Sequence, residues 1–145
     1  MAADCLICRQ VGGDLVGGLL IDEPLVAGFH LPPLEEYPRQ LLGHVMVVPR
    51  RHAPGWADLA DEEAAATGVA ITQLARALRA TLDLERVYSA AIGHRVPHLH
   101  VHVVPRYQGT PAELGWMESR EWEGAPHGAT EEIVELVGRL RDTLA

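Results

Sequence analysis

The sequence predicts an α+β domain on a mainly antiparallel sheet. Three observations carry this reading. Short aliphatic runs closed by proline stand at Gly43–Pro49 and Leu99–Pro105, a long stretch of helical period separates them, and a second helical period closes the chain. A chain of 145 residues with 48% hydrophobic content has the length of one domain, residues 1–145, with a substantial core.

Taken in order, Cys5-x-x-Cys8 is followed by a turn at Gly12-Gly13-Asp14. Leu15 to Glu23 reads as a strand interrupted at Gly17-Gly18, and Val26 to Leu31 as its neighbour. Pro32-Pro33 and the acidic run to Leu42 form a loop, because proline removes donors and disfavours helix in the residue before it. Gly43 to Val48 is a strand that Pro49 ends.

A long helix begins at Asp58 or Asp61 as an acidic cap. Glu62 and Glu63 follow where the dipole favours them, and Ile71, Leu74, Ala75, Leu78 and Leu82 supply the apolar stripe packed on the sheet. Arg86 to Ile92 is the next strand, Gly93 to Pro97 a tight connection, and Leu99 to Pro105 its antiparallel partner. Residues of about 107–128 show neither period and hold Trp116 and Trp122, which either anchor an irregular loop or wall a ligand. Ile133, Val134, Leu136, Val137, Leu140 and Leu144 mark a final helix of about 130–144, capped by Thr130.

A net charge of −8 gives no electrostatic reason to expect nucleic acid or an anionic membrane as partner. No run reaches the length of a membrane span, and Met1–Cys5 lacks the basic and apolar regions of a secretory signal, so a cytoplasmic protein is expected. In a reducing compartment, C-x-x-C points to redox or metal chemistry rather than a structural disulfide.

The run His98-Leu99-His100-Val101-His102-Val103 alternates imidazole with aliphatic side chains. In a strand, that alternation puts three imidazoles on one face, spaced by about 6.5 Å, and the aliphatic residues in the core. Imidazole serves as nucleophile, acid, base or metal ligand; the plainer alternative is a half-exposed strand whose polar face happens to be histidine. Three of the chain's 8 histidines share this face, which weighs against the plainer reading.

His-x-His-x-His followed by two aliphatics and Pro-Arg resembles the signature of the histidine-triad (HIT) superfamily of nucleotidyl hydrolases and transferases. Gly43-His44-Val45-Met46-Val47-Val48-Pro49 resembles the Gly-His strand of the same proteins, and Cys5-x-x-Cys8 the N-terminal pair of many bacterial members. The resemblance implies a five-stranded antiparallel sheet with one long helix and a C-terminal helix, usually as a homodimer. It also implies cleavage at the α-phosphate of nucleoside 5′-monophosphate derivatives, such as phosphoramidates and dinucleoside polyphosphates.

In that comparison His100 takes the place of the nucleophile, while His102 and His44 match groups that donate to phosphate oxygens or the leaving group. Cys5, Cys8, His52 and His98 resemble the four ligands of a structural zinc, and two thiolates with two imidazoles form a closed tetrahedral set. Gly93-His94-Arg95 stands where many relatives have Gly-Gln-Ser/Thr against the phosphate, and His30 where they commonly have a ribose-binding aspartate. His94, Arg95 and His30 are therefore the expected substrate contacts. Two other readings stay open: a nucleotide-binding protein with little catalysis, and a zinc hydrolase whose ion is held by His98 and His100.

Overall fold

The computed structural model describes residues 4–13 and 15–145. A five-stranded antiparallel sheet runs β1 (Ile21–Asp22), β2 (Val26–His30), β4 (Val45–Pro49), β6 (Val101–Tyr107) and β5 (Leu84–Ala90) in spatial order. A two-stranded ladder pairs β3 (Gln40–Leu41) with β7 (His127–Gly128). The helices are α1 (Leu6–Gly12), α2 (Asp61–Thr81), the short α3 (Trp116–Ser119) and α4 (Thr130–Leu144). None of them is long and apolar enough to cross a membrane.

Alternation along the strands divides the core between the two faces of the sheet. Val26, Val45, Val47 and Val103 pack against Leu74, Ala77 and Leu78 of α2 and Ile133, Leu136 and Leu140 of α4. Ala27, Phe29, Met46 and Val48 face the other way and meet Cys5, Ile7 and Cys8. The expected helix stripe is present, with Leu74 and Leu78 fully buried.

Several expectations are corrected. Gly17 and Gly18 both take positive φ, so the chain turns there and only Ile21–Asp22 pairs as strand. The expected turn at Gly12-Gly13-Asp14 lies partly outside the described residues, at Asp14. Just before it, Leu6–Gly12 forms a helix that the sequence did not announce, capped by the Cys5 sulfur accepting the Cys8 N–H at 3.5 Å. Neither long helix uses the expected cap. Glu63 accepts the Ala60 N–H at 2.8 Å and Glu132 accepts that of Ala129 at 3.0 Å, so a glutamate three residues in replaces the Asp58, Asp61 or Thr130 cap.

Regular pairing of the histidine strand starts at Val101 rather than Leu99. His98 and His100 thus precede the ladder, where Leu99 N–H instead donates to the Ala53 carbonyl at 2.7 Å.

The irregular segment after β6 is pinned from below. Buried Arg106 donates to the carbonyls of Leu114 and Pro111 at 2.7 and 2.9 Å, while also meeting Glu85 and Tyr88. Trp122 packs beside Tyr107 and Ala125, with so little space over Gly124 that a Cβ there would fall 2.2 Å from the indole. Trp122 anchors the loop.

Candidate active site and metal centre

The ends of β4 and β6 put His44 and His102 side by side. His44 Nε2 and His102 Nδ1 lie 2.9 Å apart and share one hydrogen bond. His100 sits next to His102, with ring centroids 5.5 Å apart. Its Nδ1–H donates to the His98 carbonyl at 2.7 Å, which leaves Nε2 with its lone pair. The three residues His44, His100 and His102 therefore form one group.

Burial sets the charge of this group. Desolvation lowers His44 to about 3, helped by His102, Arg120 and His30. Desolvation also lowers His102 to about 4, with His100 and Arg120 acting in the same direction. Both rings are neutral at pH 7. Arg120 lies in the segment that shows neither period, where an arginine between two tryptophans is the one sequence signal.

His98 turns to another cluster. Its Nδ1 lies 3.3 Å from Cys8 Sγ and 3.5 Å from Cys5 Sγ, and His52 Nδ1 lies 3.6 Å from Cys8 Sγ. The ligand atoms of Cys5, Cys8, His52 and His98 all fall within 4.8 Å of one another. A tetrahedral zinc with bonds of about 2.3 Å to sulfur and 2.0–2.1 Å to nitrogen spaces its N and S atoms by about 3.5 Å, so these separations fit the ion. The remaining nitrogen of His98, Nε2, donates to the Pro49 carbonyl at 2.7 Å, the outer contact that aims Nδ1 inward. Arg51, gripped by buried Glu63 at the start of α2, fixes the backbone beside His52.

The geometry separates His98 from His100. One turns its free nitrogen to the sulfurs, and the other hydrogen-bonds to the carbonyl between them.

The expected substrate contacts are dispersed. His30 is 1% exposed, and both its nitrogens are engaged: Nδ1–H donates to the Leu31 carbonyl at 2.8 Å and Nε2 accepts the Gly43 N–H at 2.9 Å. Desolvation lowers it to about 4. It braces the turn into β4. His94 and Arg95 lie exposed on the connection before His98, and their side chains hydrogen-bond to none of the described residues.

The family model described as the HIT domain matches residues 37–109, half of the chain. "Protein hit" of Bacillus subtilis is 26% identical over 111 residues, covering 73% of each chain. An asymmetrical bis(5′-nucleosyl)-tetraphosphatase of Schizosaccharomyces pombe is 35% identical over 98 residues, covering 58% of this chain and 50% of its own. A zinc-bound histidine triad family protein from Mycobacterium smegmatis superposes with a TM-score of 0.70 at 23% identity, covering 97% of this chain and 93% of that one.

Proposed function

The chain belongs to the HIT domain family, and from that footing we propose that it is a nucleotidyl hydrolase or transferase working through a covalent nucleotidyl-histidine intermediate at His100. One observation carries the reading: the His98 carbonyl holds the proton of His100 on Nδ1, so the Nε2 lone pair is the free nucleophile. A tetraphosphatase among the partial relatives supports nucleoside polyphosphates as one substrate class, beside phosphoramidates.

In the first step His100 Nε2 attacks the α-phosphorus. The P–N bond forms as the bond to the leaving group breaks, and the leaving group departs with the bonding electron pair. When His44 Nε2–H donates to His102 Nδ1, His102 is left with Nε2–H as a donor toward a phosphoryl oxygen or the leaving group. Water then attacks the same phosphorus, the P–N bond breaks, and nucleoside monophosphate and one proton are released. In transfer, an acceptor takes the place of water.

Cys5, Cys8, His52 and His98 would hold a zinc ion, which when bound supplies a closed structural crosslink. His98 then serves the active site through its carbonyl alone. The homodimer expectation belongs to the same reading: β5 is one of the two edge strands of the sheet, beside β1, and would pair with a second copy. Light scattering is expected to return twice the chain mass.

The test of the activity uses adenosine phosphoramidate and diadenosine polyphosphates. Wild type is expected to release adenosine monophosphate and to carry an added nucleotidyl mass after acid-free quenching. His100→Ala should lose at least about 1000-fold in rate, and the adduct with it. Bound nucleotide with no release from any substrate would turn the assignment to a binding protein.

A further inference from the structure

The segment that carries His100 lies ahead of the sheet's regular pairing. His98, Leu99 and His100 precede β6, which starts at Val101, and their ties lead to the cysteine and histidine quartet. His98 is itself a member, with Nδ1 3.3 Å from Cys8 Sγ and 3.5 Å from Cys5 Sγ. Leu99 N–H donates at 2.7 Å to the carbonyl of Ala53, the neighbour of a second member, His52. His100 Nδ1–H donates at 2.7 Å to the carbonyl of His98. A change in the quartet therefore reaches His100 directly.

The quartet contains an oxidisable pair. Cys5 and Cys8 are the chain's 2 cysteines, both unbridged, so oxidation within the chain has a single disulfide product. Leu6 and Ile7 between them are helical, which sets the two α-carbons about 5 Å apart. A disulfide spans roughly 4.4–6.8 Å between α-carbons, so the bond can close with little movement of the backbone. The two sulfurs already lie within 4.8 Å of each other. As zinc ligands they are thiolates, the form that peroxide oxidises and that a disulfide no longer offers to a metal. Cys5 is 6% exposed and Cys8 2%, an approach that suits a small oxidant.

We propose that Cys5 and Cys8 are a redox-active dithiol, which hydrogen peroxide converts to a disulfide that empties the quartet and frees the segment holding His100. Cys5 sulfur attacks one peroxide oxygen; the O–O bond breaks, hydroxide leaves and a sulfenic acid remains. Cys8 sulfur then attacks the Cys5 sulfur, and the S–S bond forms as the S–O bond breaks with loss of a second hydroxide. Both hydroxides take up protons from solvent and become water. The sulfur pair loses two electrons, and the peroxide gains them. His98 Nδ1 then has neither thiolate nor metal to hold it, and its carbonyl is no longer fixed under His100. The consequence at His100 rests on reading that residue as the nucleophile, whereas closure of the disulfide does not.

The experiment treats the zinc-loaded full chain with hydrogen peroxide, then with dithiothreitol and zinc. Intact mass should fall by about two units as both thiols disappear, and about one zinc per chain should pass to a chromogenic chelator. Nitrogen NMR of the His100 ring should show the proton on Nδ1 in the reduced form and shared between Nδ1 and Nε2 in the oxidised form. Release of adenosine monophosphate from adenosine phosphoramidate should slow by about 10- to 100-fold through the misplaced nucleophile. Dithiothreitol with zinc should restore the rate to within about twofold, which separates the disulfide from methionine oxidation, a change dithiothreitol leaves in place. Thiols that survive peroxide, a mass gain at the cysteines in place of the loss, or zinc retained after the disulfide closes would overturn the inference. So would a disulfide with zinc released but the His100 ring and the rate unchanged. If the reduced protein released nucleotide from no substrate, the proposed activity would fall alone; disulfide closure, zinc release and the altered His100 ring would still support the dithiol.

Discussion

One backbone carbonyl, that of His98, decides which nitrogen of His100 is free. A similar economy operates at Gly43, the residue before His44. Its φ is 96°, its N–H donates to His30, and a Cβ there would lie 2.9 Å from Leu82 Cδ1 and 3.0 Å from the Pro105 ring. Gly43→Ala is expected to cost about 2–3 kcal/mol through backbone strain and crowding, measured by urea unfolding. The glycine was read as the start of a strand motif, but its conformation was not legible. Nothing in a sequence states that a backbone amide will be held by a buried imidazole thirteen positions earlier.

Among the elements, β2, β4, β6, α2 and α4 were legible because each carries its own period in its own residues. The first helix was not, because a seven-residue helix has little stability of its own. It is held by Ile7 and Cys8 buried under the sheet and by the cysteines' approach to His52 and His98. The quartet of Cys5, Cys8, His52 and His98 was readable through motif resemblance, although its members come from three separate segments. Arg120 and His127 lay in a segment without period and were missed. Because the quartet joins α1 to β4 and to the start of β6, strong chelation or Cys8→Ser is expected to lower Tm by roughly 5–10 °C. Metal analysis should find about one zinc per chain before treatment. Far-UV circular dichroism should keep its sheet signal, since the five-stranded ladder has its own core.

The whole molecule carries a histidine-dependent response to acid. His30, His44 and His102 titrate at about 4, 3 and 4 in the fold, against an ordinary value of 6.5. The unfolded chain therefore takes up protons first, and the stability from keeping these rings neutral is complete above pH 6.5 and lost as pH falls toward 4. For His30 alone the loss amounts to about 3 kcal/mol, at ~1.4 kcal/mol per pKa unit. Urea midpoints at pH 7, 5.5 and 4.5 should fall in that order, and His30→Asn, less stable at pH 7, should show the shallower slope. A flat profile would mean that the rings are not buried as described.

The ladder between β3 and β7 has a consequence for the order in which the molecule assembles. It joins positions 40 and 128 through two residue pairs, so it closes a long stretch of chain for little enthalpy. Such a contact forms after the sheet it leans on and opens before it. The protein thus completes its histidine neighbourhood last, and the amides of Leu42 and Gly128 should exchange with deuterium well ahead of those of Val47 and Val103.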